Sequence, residues 1–361
     1  MPRSRHRHRK ILVAAVCGST CLALSSAVAA NAGPRPAPAS ASHAPHASAA
    51  VAHGDSKHKT QHGYVFEKIK SVRVNHKNCH KISLNGVNNH GMIVGTTYCG
   101  HAAAFTLSKK GKEKVYQLPK SKSHNTYASN IANNGAIAVV GSHHKKSPIE
   151  SFIKVPGSGD PWQKIKYPAP SHGTQVQGIN SAGDAVGLYC QKKKCSPPVG
   201  FSEVDGGYTT FQPQSQKTLL PVLNDINDHG EVCGYGYDQS LTIHSFVDPL
   251  YGGGKSRNVN APKAGHGKFE GTVITALAND GTYDGYALRS HNRTLGYVHR
   301  NGKWKSFNLG SDKHGGTEFN GAANGGEVVG QYYAKHHHPH DIAVVGVPKH
   351  GKDKLPHLSK K

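Results

Sequence analysis

The side chains with chemistry to offer are overwhelmingly basic or imidazole. Lysine recurs in short runs, Lys145-Lys146 and Lys192-Lys193-Lys194, with Arg289, Arg293 and Lys335 set apart. Histidines stand beside them: His101, His143, His144, His244 and His291, then the tract His336-His337-His338-Pro339-His340. Flexible ammonium groups and neutral imidazoles suit a shape-tolerant polyanion better than a small ligand held in one pose. They gain positive charge on acidification, since an ordinary imidazole titrates at about 6.5. His336, His337, His338 and His340 are also donors for Zn, Cu or Ni, although tandem histidine without a fixed carboxylate or cysteine makes a solvated metal site. No catalytic signature accompanies them. There is no Gly-x-Ser-x-Gly, no His-Glu-x-x-His and no paired-carboxylate motif. No cofactor is expected.

Those residues are positioned by a repeat. A Gly-containing turn returns as Asn88-Asn89-His90-Gly91, Asn180-Ser181-Ala182-Gly183 and Asn227-Asp228-His229-Gly230, with shorter copies at Asn133-Asn134-Gly135, Asn279-Asp280-Gly281 and Asn324-Gly325-Gly326. The turn glycines are 44, 48, 47, 51 and 45 residues apart. That period is the length of one four-stranded propeller blade. Asn and Gly supply the positive φ of a tight hairpin between a first and a second strand. Second strands follow at once, as in Ala185-Val186-Gly187 and Val232-Cys233-Gly234. Third strands carry a small residue before an aromatic: Ala104-Phe105, Ser151-Phe152, Gly200-Phe201, Ser245-Phe246 and Gly296-Tyr297. Fourth strands are short. The sixth copy lacks one, and a matching segment, Tyr64–Ile69, stands ahead of the first copy. Pairing of the two would close a ring without a long open edge. No stretch has helical periodicity. The expected fold is all-β: a six-bladed β-propeller over 63–348.

The unit resembles that of the HAF-repeat family of bacterial extracellular proteins. That unit runs Ile-Asn-Asn-x-Gly-x-Ile-Val-Gly, then His-Ala/Gly-Phe, then a strand ending near Pro-Gly. Three turns match it well, His244-Ser245-Phe246 nearly matches the second element, and His101–Phe105 carries it with stretched spacing. The resemblance implies export and a propeller-like fold, and it brings no catalytic residues.

Residues 1–32 read as a secretory signal peptide, with Arg3, Arg5, Arg7, Arg9 and Lys10 before an apolar run and cleavage expected between Ala29 and Ala32. No later segment is apolar enough to span a bilayer. Residues 33–62, rich in Ala, Pro, Ser and His, read as a disordered linker, and 349–361 as a basic C-terminal tail. Export permits disulfides. Cys79 and Cys99 lie equidistant from residue 89, so a hairpin sets them opposite each other, and Cys190 and Cys195 flank one loop. Cys233 takes a core position that is Val94, Val186 or Val329 in other copies and is expected to be a buried thiol.

The formal net charge of +23 falls to +18 once the five cations of the signal are removed. In a propeller the second-to-third-strand loops share a face with the connections between blades. The basic residues named above all fall in those second-to-third-strand loops, where the only acids are Glu150, Asp238 and Asp341. The first-to-second-strand hairpins carry Asp184, Asp228, Glu231, Asp280, Asp284 and Glu327. The first-blade turn, with Lys109, Lys110 and Lys112, breaks the separation. The expected function is that of a secreted, monomeric, non-catalytic protein binding an anionic polymer: cell-wall polymer, acidic polysaccharide or extracellular DNA. No nucleic-acid-binding motif is present, which makes nucleic acid the least supported partner. A protein-interaction scaffold, a metal-binding protein and a propeller hydrolase or lyase are the alternatives.

Overall fold

The computed structural model describes residues 59–118, 125–142, 149–157, 162–168, 171–192, 198–214, 219–251, 254–290, 293–310, 316–333 and 342–349. Over these the chain is all-β and propeller-like, with a 3-10 turn at Asn324–Gly326. Among the described residues no helix is long and apolar enough to cross a membrane.

Antiparallel sheets follow the repeat. The first consists of Ile82–Val87, Ile93–Cys99, His101–Leu107 and Glu113–Tyr116. The second consists of Asn125–Ile131, Ile137–Ser142, Glu150–Lys154 and Gln163–Ile165, and the third of Thr174–Ile179, Ala185–Cys190, Pro198–Val204 and Gly207–Thr210. Repeat four (Leu219–Ile226, Glu231–Tyr237, Ile243–Pro249, Arg257–Val259) and repeat five (Gly271–Leu277, Tyr283–Arg289, Arg293–Arg300, Lys303–Phe307) touch through one parallel bridge, Ile243 to Gly271. The last sheet holds Gly316–Ala322, Val328–Tyr333 and Ile342–Pro348, and Tyr64–Lys68 pairs antiparallel with Ile342–Pro348. Lys59–Gln61 adds a strand outside it, so regular structure begins before residue 62, where the linker was expected to end. A short hairpin, Val72–Val74 with Lys77–Cys79, precedes the first repeat.

The second strands are buried on both faces, which is why they read as unbroken apolar runs such as Ala185–Cys190. All six first strands carry a β-bulge at one register, as between Leu84 and Gly86, between Ala128 and Asn130, or between Leu223 and Asp225. Beside the bulge the second-strand glycine backs onto a first-strand carbonyl. A Cβ on Gly187 would lie 2.1 Å from the Gln175 oxygen, and one on Gly234 would lie 2.0 Å from that of Val222. Glycine is needed there for close approach. The third-strand aromatic then lies over it, with Phe201 opposite Gly187 and Phe246 opposite Gly234. The second repeat departs, with Val139 opposite Phe152.

Apolar clusters lie between successive repeats. Val94, Ala104, Ile131 and Phe152 join the first to the second, and Val186, Leu223 and Phe246 join the third to the fourth. Leu84 and Phe105 pack with Val329 and Val345, which belong to the last sheet. Tyr64 and Phe66, each 2% exposed, pack with Phe307 and Phe319. Burying each such ring stabilises by about 2–3 kcal/mol.

Candidate functional site

The expected Cys79–Cys99 disulfide is present, with Cα atoms 5.5 Å apart, and ties the short hairpin to the end of a second strand. A bridge over a separation of 20 residues stabilises by about 3 kcal/mol. Cys190 is also disulfide-bonded; Cys195 lies outside the described residues. Cys233 is free and fully buried, and burial, with the charges of Asp225 and Asp284, pushes its thiol well up. It is an inert core group.

Of the expected basic site, His101, Lys192, His244, Arg289 and Arg293 fall within the described residues. His143, His144, Lys145, Lys146, Lys193, Lys194, His291, Lys335, His336, His337, His338 and His340 lie outside them. The five described residues sit at the ends of second strands or the starts of third strands, at the same end of their sheets. Arg289 and Arg293 are direct cross-strand partners. The others are distributed over different repeats and form no single cluster. His101 and Lys192 are exposed, and Arg289 and Arg293 half-exposed. Glu150 is paired with Lys164, and Asp238 accepts from His244 at 2.9 Å, which lowers the Asp238 carboxyl. Both described acids of these loops are thus taken up locally. None of the salt bridges among the described residues involves Lys192, Arg289 or Arg293. Lys81 lies 5.0 Å above the Tyr98 ring at the same end of the first repeat.

The opposite face holds a network that the sequence did not announce. The first Asn of the turn caps it and reaches the next repeat. Asn88 Oδ1 accepts from the N–H groups of His90 and Met92, while its Nδ2 donates to the Ala132 carbonyl. Asn180 and Asn227 repeat the pattern. Where that position is Ala132 or Ala278, the capping passes to Asn134 or Asp280. A second set of bonds runs from turn to turn. Asn89 N–H donates to Asn133, Asn134 N–H to Ser181, Ser181 N–H to Asp228, Asp228 N–H to Asn279, Asp280 N–H to Asn324 and Asn324 N–H to Asn89.

Inside this circuit is a polar cavity of about 30 Å³, lined by Asn89, Asn130, Asn133, Asp225, Asp228 and Asn279 among others. Its floor is a bond across the axis, Asn130 Nδ2 to Asp225 Oδ1 at 3.0 Å. Close packing of the first strands forces small residues at this level. A Cβ on Gly178 would lie 2.5 Å from the Asp225 Cα, and one on Gly321 would lie 2.6 Å from the Gly86 Cα. Burial pushes the Asp225 carboxyl up to about 7, against the N–H donors of Leu277 and Ile226 and the Asn130 amide. Burial also raises Asp228, but donation from Asn133, Asn279 and Ser181 outweighs it and holds that carboxyl below its usual value. The signal available in the sequence was one register position, reading Gly86, Asn130, Gly178, Asp225, Ala276 and Gly321, where two polar residues interrupt a run of the smallest ones.

The turn face is less purely acidic than expected. It carries Arg257, Arg300 and Lys303 beside the expected Lys109, Lys110 and Lys112. Two of these are neutralised, Lys109 by Glu327 and Arg257 by Glu231. Among the described residues no three His, Cys, Asp or Glu side chains group as metal ligands.

No protein-family model matches the chain. No curated protein sequence matches it. Among solved structures it is similar to AofleA from Arthrobotrys oligospora, at 9% identity and a TM-score of 0.41 over 80% of this chain and 94% of that one. It is similar to the putative TolB from Agrobacterium tumefaciens, at 11% identity and 0.37 over 71% and 78%. The Aleuria aurantia lectin is similar at 12% identity and 0.37 over 74% and 96%. At such scores none of these bears on what this chain binds.

Proposed function

We propose that this chain is a secreted, non-catalytic binding protein, a six-bladed propeller closed by Tyr64–Lys68, whose loop face holds an anionic polymer. The observation carrying the functional reading is the contrast in charge pairing between the two faces. On the loop face both described loop acids are occupied by near neighbours, and no salt bridge among the described residues involves Lys192, Arg289 or Arg293. On the turn face Lys109 and Arg257 are paired. Cations set apart on the third and fifth repeats suit an extended, repeating anion, because each contact is weak and several act together.

The six-blade reading is supported by the turn-to-turn circuit, which leads from Asn89 through six turns and back to Asn89. It is supported as well by the apolar cluster shared between the last sheet and the first. Export is supported by the basic and apolar N-terminus and by disulfide-bonded Cys79, Cys99 and Cys190. The likeness of the turn to the HAF-repeat unit agrees with both. A scaffold reading is less favoured, since Tyr251 is the only large hydrophobic side chain exposed among the described residues.

The test is binding of the mature chain to purified teichoic-type polymer, polygalacturonate and duplex DNA across a salt series. Retention of at least one polymer that weakens steeply with salt is expected. Retention of none at low salt removes the reading.

A further inference from the structure

We propose that Asn301 is a covalent modification site, the position at which this folded chain deamidates spontaneously to aspartate and isoaspartate.

Deamidation is fastest where glycine follows asparagine, because no side chain hinders attack by the next backbone nitrogen. The sequence has five such pairs, beginning at Asn85, Asn134, Asn301, Asn320 and Asn324. Four are held. Asn134 donates to the Ser181 carbonyl and accepts from Ala136 N–H, and the Gly135 nitrogen donates to the Ala132 carbonyl. Asn324 accepts from Asp280 N–H, and the Gly325 nitrogen donates to the Asp280 carboxylate at 2.8 Å. Asn85 and Asn320 lie inside first strands. Their glycines are buried against each other, so that a Cβ on Gly321 would lie 2.6 Å from the Gly86 Cα. Asn320 also donates to the Leu84 carbonyl.

Asn301 differs in each respect. With Gly302 it forms the two-residue turn between Arg300 and Lys303, at φ of 51° and 70°. Both residues are exposed and neither makes a hydrogen bond among the described residues. Nothing lies within 4 Å of a Cβ built on Gly302. The matching turn of repeat three shows what is missing. There Gly206 N–H donates to Glu203 Oε1 at 2.9 Å, and in repeat five His299 stands in the place of Glu203.

The chemistry needs only water and base. The Gly302 nitrogen loses its proton and attacks the Asn301 side-chain carbonyl carbon. Flanking Arg300 and Lys303 favour the anion so formed. The carbon–nitrogen bond of the side-chain amide then breaks, ammonia leaves with a proton from solvent, and a cyclic imide remains. Water opens the imide at either carbonyl, leaving a carboxylate and, for isoaspartate, one extra backbone methylene in the turn.

The test incubates the mature, folded chain at mildly alkaline pH, below its Tm. Peptide mapping by mass spectrometry follows each Asn-Gly pair with time, and cation exchange follows the acidic product. Asn301 should convert at least about tenfold faster than each of the other four, since those wait on local opening. In guanidinium chloride that gap should close, because the fold sets it. Asn301→Gln should remove the early acidic product. Conversion at Asn301 no faster than at the other pairs overturns the proposal, as does a gap that persists in denaturant. If the variant does not fold, peptide mapping of the unaltered chain decides. The modified turn lies on the turn face, so neither result bears on polymer binding to the loop face.

Discussion

At the residue scale, asparagine carries the most structure. Asn180 is 1% exposed and makes bonds inside its turn, to Asp184 and to the carbonyl of Asn227 in the next repeat. Replacing it with alanine leaves several buried polar groups unpaired, and each such group costs about 1–3 kcal/mol. Asn180→Ala should therefore lower stability by about 2–4 kcal/mol. Asn134→Ala, at an exposed turn position, should cost less than about 1 kcal/mol. Urea midpoints of the two variants check this, and equal losses would show that burial does not set the worth of a cap, since Asn134 also caps its turn. The value of Asn in the turn was legible from its recurrence before Gly. Its reach into the next repeat was not, because a bond from residue 88 to residue 132 has no local signature. Asn130 and Asp225 were hidden for the same reason. They meet across 95 residues, at a position where other repeats hold Gly or Ala.

At the element scale, the strand pattern was readable because each element has its own constraint. The second strand is apolar on both faces, the bulge demands close approach at Gly187 and Gly234, and the third strand lays an aromatic over that glycine. Gly187→Ala places a Cβ against the Gln175 carbonyl and should cost about 3 kcal/mol, the range of a forced overpacking in a tight core. A thermal or urea midpoint unchanged by this substitution would show that the bulge relaxes freely. Tyr64–Lys68 was found in the sequence by subtraction, as the one fourth strand missing from the last copy. It pairs over Tyr64 to Lys68 with Pro348 to Val344 and buries Tyr64 and Phe66. A chain lacking residues 59–69 exposes the edge of Ile342–Pro348 together with Phe307 and Phe319. It should unfold non-cooperatively or associate; a sharp transition at the parent Tm, on a monomer, would refute the structural role of that strand. The outer strand Lys59–Gln61 and the hairpin over 72–79 were not anticipated. Lys59–Gln61 is short and polar, and the hairpin's only alternation is the three-residue Val72-Arg73-Val74, too brief to announce a strand; the hairpin is held by the Cys79–Cys99 bridge.

At the scale of the whole molecule, charge distribution is where reading and structure partly diverge. The loops were readable as basic because acids are scarce in them. The turn face was read as acidic from its first-to-second-strand hairpins alone, and the third-to-fourth-strand side adds Arg257, Arg300 and Lys303. The faces differ in part in how the charges are paired: two of the six turn-face cations, Lys109 and Arg257, have carboxylate partners, whereas no salt bridge among the described residues involves Lys192, Arg289 or Arg293 on the loop face. The most direct measurement compares two charge-removing variants for polymer affinity at low salt and at about 0.15 M salt, where the screening length is about 8 Å. Lys192→Gln, Arg289→Gln and Arg293→Gln combined should weaken binding at least about tenfold, which is roughly 1.4 kcal/mol. Lys109→Gln, Lys110→Gln and Lys112→Gln combined should weaken it by less than about threefold. Equal losses from the two triple variants, or an affinity indifferent to salt, would contradict the assignment of polymer binding to the loop face.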